Sequence, residues 1–147
     1  MEKLILEKDE EAIYKLQVND NGDYIEFDLA DLTLPSRILD ASDKLSKIDG
    51  EFQQKALKLE EEKDAIEKVK KQILLDKEYA KEMRSIFDSF LGEGACQKIF
   101  GDKERYGQYT KLMDALTPHF NKMKIDIDKA KKRIIERIKQ DQKNDVM

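Results

Sequence analysis

At 147 residues the chain can fold as one domain with a working core, yet 41% of its side chains are charged and none is tryptophan, so much of it must be solvated helix surface. A formal charge of -4 gives no general pull toward polyanions, and the lone Cys96 excludes an intrachain disulfide or a cysteine-based metal cluster and suits a reducing cytoplasm. No run approaches the roughly 18 to 20 consecutive apolar residues of a membrane span, and MEKLILEKDEE does not read as a signal peptide, so a soluble cytosolic protein is expected.

The charge is unevenly placed. Residues 1–34 hold ten acidic side chains against three lysines, whereas Lys122 to Lys139 holds eight basic against three acidic, so the two ends of one chain, or of two copies, can attract each other.

In chain order, residues 12–18 (AIYKLQV) and 23–29 (DYIEFDL) alternate apolar and polar side chains with the period of a half-buried strand. Asn19-Asp20-Asn21-Gly22 between them tolerates the left-handed turn conformations of a hairpin. Leu4, Ile5 and Leu6 offer a third strand, turning at Asp9 and Glu10. The fold class expected is mainly α with this small N-terminal β-hairpin, a region of residues 1–31 leaning on long helices.

Asp31 or Thr33 can cap the helical region that follows, residues 35–91, and Pro35 suits a first turn. Ile38, Leu45, Phe52, Leu59, Ile66, Ile73, Ala80 and Phe87 recur every seven positions as one helical seam. It is narrowest over residues 53–65, where charged side chains cluster; a protruding hairpin of helices and one long rod both fit, and Gly50 offers a bend. Glu60, Glu61 and Glu62 read as a solvated helix face rather than an acid/base pair.

Phe87 to Gly101 (FDSFLGEGACQKIFG) is the one place where glycines, small residues and aromatics gather, with residues 92–101 as a connector. Gly92 and Gly94 permit positive φ and should end the preceding helix; Ala95, Cys96 and Ile99 form a short turn of helix, closed by Phe100 and Gly101. A dinucleotide fingerprint would need glycine where Gln97 stands, and the Gly-Lys-Ser/Thr of a phosphate loop is absent. The aromatics must therefore meet the chain's own core or another chain. Cys96 reads as a small packing residue rather than a reactive thiol.

A helix from Asp102–Glu104 carries Tyr106, Tyr109, Leu112, Met113 and Leu116, and Thr117-Pro118 should interrupt it. A last helix, about Phe120 to Gln140, bears Phe120, Met123, Ile127, Ala130, Ile134 and Ile138 on one stripe, completing helices over residues 102–140; residues 141–147 are expected to be a disordered tail. His119 is the only histidine and reads as a surface or boundary residue. The basic last helix has no aromatic stacking platform, so nucleic acid is a disfavoured partner. No nucleophile, base and orienting group form a nameable set, so neither an enzyme nor a cofactor is expected.

The hairpin ending YIEFDLAD, the helical middle, and FLGEGACQKIFGDKERYGQY followed by DALTPHF together resemble the tail assembly chaperones of long-tailed phages and prophages of Gram-positive bacteria. The positions that carry the likeness are Phe90, Gly92, Gly94, Cys96, Lys98, Ile99, Phe100, Gly101 and Asp102; residues 50–77 depart from compact relatives in being an extended charged helical stretch. The resemblance implies a non-enzymatic protein of the bacterial host's cytoplasm, absent from the mature virion, that keeps the tape-measure protein soluble for tail tube assembly. It also implies as candidate partners the tail tube protein and a frameshifted longer form, with a homo-oligomer expected. The partner-binding residues expected are Phe87, Phe90, Leu91, Gly92, Gly94, Ala95, Cys96, Ile99 and Phe100. The alternative is a structural coiled-coil or adaptor protein that self-associates through the Ile38 to Ile73 seam.

Overall fold

A computed structural model describes residues 1–7 and 10–145, with the side chains of residues 125–134, 137, 144 and 145 left outside the description. The fold is mainly helical behind a two-stranded antiparallel hairpin, as the patterning predicts. The elements run β1 (Ile13–Gln17), β2 (Tyr24–Asp28), α1 (Leu34–Leu59), α2 (Ala65–Leu91), α3 (Ala95–Phe100) and α4 (Gln108–Asp145), and a single 3-10 turn, Glu10–Ala12, precedes β1. The chain divides into two compact units, one of residues 15–27 and 32–106, the other of residues 1–14, 28–31 and 107–147.

In the first unit, the hairpin turn is built around Asn19. Its Oδ1 accepts from the backbone N–H groups of Asn21 (2.9 Å) and Asp23 (3.2 Å), while its Nδ2 donates to Asp23 Oδ2 (2.7 Å) and to the Lys98 carbonyl (3.0 Å). One short side chain thus closes the turn and ties it to α3, which helps an otherwise marginal two-stranded sheet persist. Along β2 the alternation is realised, with Ile25 and Phe27 buried and Tyr24 and Glu26 exposed. The expected third strand does not form. Leu4, Ile5 and Leu6 belong to no strand and are 90%, 74% and 87% exposed, and the turn expected at Asp9 falls partly outside the described residues.

α1 and α2 pack along each other as a pair of helices joined at Glu60 to Asp64. Of the two arrangements the seam allowed, the chain adopts the helical hairpin, and Gly50 lies inside α1 without ending it. The glutamates expected on a helix face instead form the turn, because the narrow stretch of the seam offers too little apolar surface to hold a continuing helix against a partner. Asp64 then restarts the helix: its carboxylate accepts from the N–H groups of Ile66 (3.0 Å) and Glu67 (3.3 Å), supplying partners for two orphan donors. Lys71 Nζ reaches back to Glu62 at 2.6 Å across the turn and holds that carboxyl below its ordinary range.

The α1 face against α2 is the heptad stripe, with Leu45, Phe52 and Leu59 buried on it and Ala41 buried beside it. The Phe52 ring meets Tyr79 edge to face at 5.2 Å, and the Tyr79 hydroxyl donates to Asp49 at 3.0 Å. Burial and the neighbouring carboxylate push the Tyr79 hydroxyl up to about 12.

In the second unit α4 is one uninterrupted helix with Pro118 inside it. The break expected at Thr117-Pro118 and the disordered tail from residue 141 are both corrected: helix persists to Asp145, and only Val146 and Met147 lie outside the description. An internal proline costs about 3 kcal/mol through one lost hydrogen bond and a ring clash. Against that stand Leu116 and Met123, buried on either side, and Thr117 Oγ1, which donates to the Met113 carbonyl at 2.8 Å. The helix begins at Gln108, after Gly107 at φ 75, rather than at Asp102–Glu104. The side chains of Ile127, Ala130 and Ile134 lie outside the description, while Ile138 of the same expected stripe is 51% exposed.

Candidate functional site: the glycine-aromatic stretch and the edge of the hairpin

The stretch from Phe87 to Gly101 makes a tight reversal that packs α3 back on α2. Gly92 leaves α2 at φ 114, Gly94 is left-handed at φ 76, and Gly101 ends α3 at φ 66. Gly94 is in the left-handed α region, which costs a residue with a side chain about 1 to 2 kcal/mol, and Gly101, at positive φ with ψ -146, is near the region that glycine alone adopts readily, so glycine here is a backbone requirement and not a phosphate cradle. Asp88, one turn before the end of α2, turns its carboxylate onto the start of α3 and accepts from the Cys96 N–H at 2.9 Å. The exit from α3 is pinned by Arg84, whose guanidinium donates to the carbonyls of Gly101 (2.8 Å) and Lys103 (3.3 Å) and pairs with Glu104. Arg84 was not legible as part of this site; its signal is a single arginine next to Met83 and two residues before the apolar pair Ile86-Phe87.

This packing decides where the nine expected contact residues lie. Phe87, Phe90, Leu91, Ala95 and Cys96 are at most 4% exposed and form core, with the Phe87 and Phe90 rings 5.6 Å apart. Gly94, Ile99 and Phe100 are half-buried, and Gly92 is exposed. Burial beside Asp88 pushes the Cys96 thiol up to about 12, which keeps it protonated near neutral pH, in line with a packing role. In the other unit His119 is half-buried, and its Nδ1 lies 2.7 Å from the Tyr14 hydroxyl, a boundary histidine held in place by one partner.

Part of the stretch borders a groove that sequence reasoning did not anticipate. Its volume is about 360 Å³, and it lies between the start of β2 and the α2–α3 reversal, lined by Tyr24, Glu26, Leu91, Gly92, Ala95 and Lys98. The hairpin register explains its chemistry. The Val18 N–H donates to the Asp23 carbonyl, and the Leu29 N–H to that of Ala12, each at 2.9 Å. Alternation from those pairs directs the main-chain groups of Ile25 toward β1 and those of Tyr24 and Glu26 away from it. Consistent with this, Lys98 Nζ approaches the Tyr24 carbonyl at 3.4 Å from the outer side. The sheet has two strands, so the outer edge of β2 presents peptide groups to the groove beside the apolar Leu91 and Ala95. The groove can hold an extended protein segment through main-chain hydrogen bonds to the edge of β2.

Among the described residues no helix is long and apolar enough to cross a membrane. No curated protein and no solved structure matches the chain. A family model does match residues 21–145, which take in β2, all four helices and the whole glycine-aromatic stretch, and the chain therefore belongs to DUF6673, a family of unknown function.

Proposed function

We propose that this chain is a tail assembly chaperone of a long-tailed phage or prophage of Gram-positive bacteria, acting in the host cytoplasm to bind the tape-measure protein and keep it soluble until the tail tube forms around it. The observation that carries the reading is the groove beside β2. It joins the outer edge of β2 to Gly92 and Lys98, two of the positions in the Phe90 to Asp102 stretch that carries the resemblance. A holdase needs such a surface for protein segments on a charged, soluble scaffold, and requires no catalytic group. A homo-oligomer, the tail tube protein and a frameshifted longer form belong to the same proposal as partners.

The test is co-expression with tagged fragments of a candidate tape-measure protein, reading soluble complex by pull-down and light scattering. A stoichiometric complex that rescues the fragment from aggregation is expected. Glu26→Pro should weaken it, because proline removes an N–H that points into the groove while sparing the ladder to β1. Serine at Phe90 is a poorer probe, since Phe90 is core and its loss would unfold the site. No complex, together with self-assembled rods, would overturn the proposal in favour of a structural coiled coil. That second reading draws on Ile66, Val69 and Ile73, which keep coiled-coil spacing and stand open on α2.

A further inference from the structure

The N-terminal half of α2 carries a surface that its pairing with α1 leaves unused. Ile66, Val69 and Ile73 are 68%, 59% and 48% exposed. With 3.6 residues per turn they share an arc of about 60°, the same arc on which Phe87 and Leu91 are buried further along α2, and it is centred about 130° around the helix from the half-buried Leu75 and Tyr79 of the same half, the latter packed on Phe52 of α1. Three large aliphatic side chains at i, i+3 and i+7 are the spacing by which one helix receives another.

The flanks of the stripe select the partner. Lys70 and Lys77 border it on one side, both exposed, at the positions from which a coiled-coil helix pairs by charge with its neighbour. The other border holds Gln72 and Asp76, and these two are hydrogen-bonded to each other at 2.8 Å. Glu67 comes within 3.8 Å of Lys70 along the helix, an exposed contact of little energetic weight. Two copies docked antiparallel through this stripe would set lysine against lysine, and a parallel pair would set Lys77 against the uncharged Gln72. Self-association therefore leaves the lysines without counter-charges, whereas glutamates or aspartates on a different helix would supply them.

We infer that the Ile66-Val69-Ile73 stripe is a docking site for an amphipathic helix of another protein whose apolar seam is flanked by acidic residues on the side facing Lys70 and Lys77. The inference rests on the stripe and its charges and not on the tape-measure reading; failure to solubilise a tape-measure fragment, with the peptide result below intact, would remove that reading alone.

The test uses the full chain and two synthetic amphipathic peptides of ~20 residues, long enough to form helix on binding, with the same apolar seam flanked by glutamates in one and lysines in the other. Fluorescence anisotropy at moderate salt should show the glutamate peptide binding about tenfold more tightly or better, a difference that weakens as salt is raised. Replacing Ile66, Val69 and Ile73 together with serine should cost about tenfold or more in that affinity. Because all three are exposed, the circular dichroism spectrum and Tm should stay unchanged. Lys70→Glu with Lys77→Glu should reverse the preference between the peptides. Equal binding of both peptides, no binding, or binding that survives the triple substitution would overturn the inference. So would sedimentation showing a wild-type dimer that the triple substitution dissolves, since the stripe would then serve a second copy.

Discussion

The two halves of α2 belong to one helix and one heptad repeat, yet they live in different environments. Phe87, on the repeat near the C-terminal end, is 1% exposed, whereas Ile66 and Ile73, on the same repeat near the N-terminal end, are 68% and 48% exposed. The C-terminal half is covered because the glycine-directed reversal folds α3 back upon it. The N-terminal half packs on α1, and a single partner helix covers one side of a cylinder. A repeat read from sequence thus reports which side chains share a face, and the connections decide whether anything lies over that face.

The largest way to break the comparison is at Phe87. Phe87→Ala should destabilise the fold by about 3–5 kcal/mol, from lost apolar burial plus the cavity left against Phe90, measured by urea denaturation.

A smaller effect comes at Tyr79, where the covered half gives way to the open one. Its hydroxyl is raised from 10.0 to about 12, so the folded state holds that proton more tightly than the unfolded state. The associated stability is fully present below pH 10 and is lost as pH rises from 10 toward 12. Cys96, raised from 9.0 to about 12, has the same sign, so the comparison belongs in a Cys96→Ala background. There, Tyr79→Phe should flatten the alkaline limb of stability against pH; an unchanged limb would mean that the α1–α2 contact does not shield Tyr79.

The smallest effect is expected at Ile73. Ile73→Ser should change stability by no more than about 0.5 kcal/mol, since the side chain is half in water already. A loss as large as that at Phe87 would show that the stripe is covered by the chain itself and would remove the basis for a docking site there.

Much of the local structure was legible. The strand alternation and Asn19-Gly22 place the hairpin within one residue at each end, because period-two patterning and turn chemistry act over short distances. The turn between α1 and α2 was legible only as a thinning of the seam, since the heptad continues in phase across residues 60–64 and every residue there tolerates helix. Pro118 misled for the opposite reason: its local penalty is real, but burial of Leu116 and Met123 along α4 outweighs it. For the candidate site, the glycines were legible as backbone requirements, while the division of the aromatics between core and surface was not. Arg84 and the outer edge of β2 join that site only through residues far away in sequence.

By itself, the sequence determined the helical class, the hairpin and its strand bounds, the positive-φ glycines and the apolar faces, all of which follow from torsional preference and periodicity within a few residues. The tertiary structure alone decided that Phe87, Phe90 and Cys96 are core, that the outer edge of β2 has no third strand among the described residues, and that Ile66, Val69 and Ile73 stand open. Exposure depends on which distant segment lies over a face, and the energy that settles it belongs to pairs of elements rather than to either one.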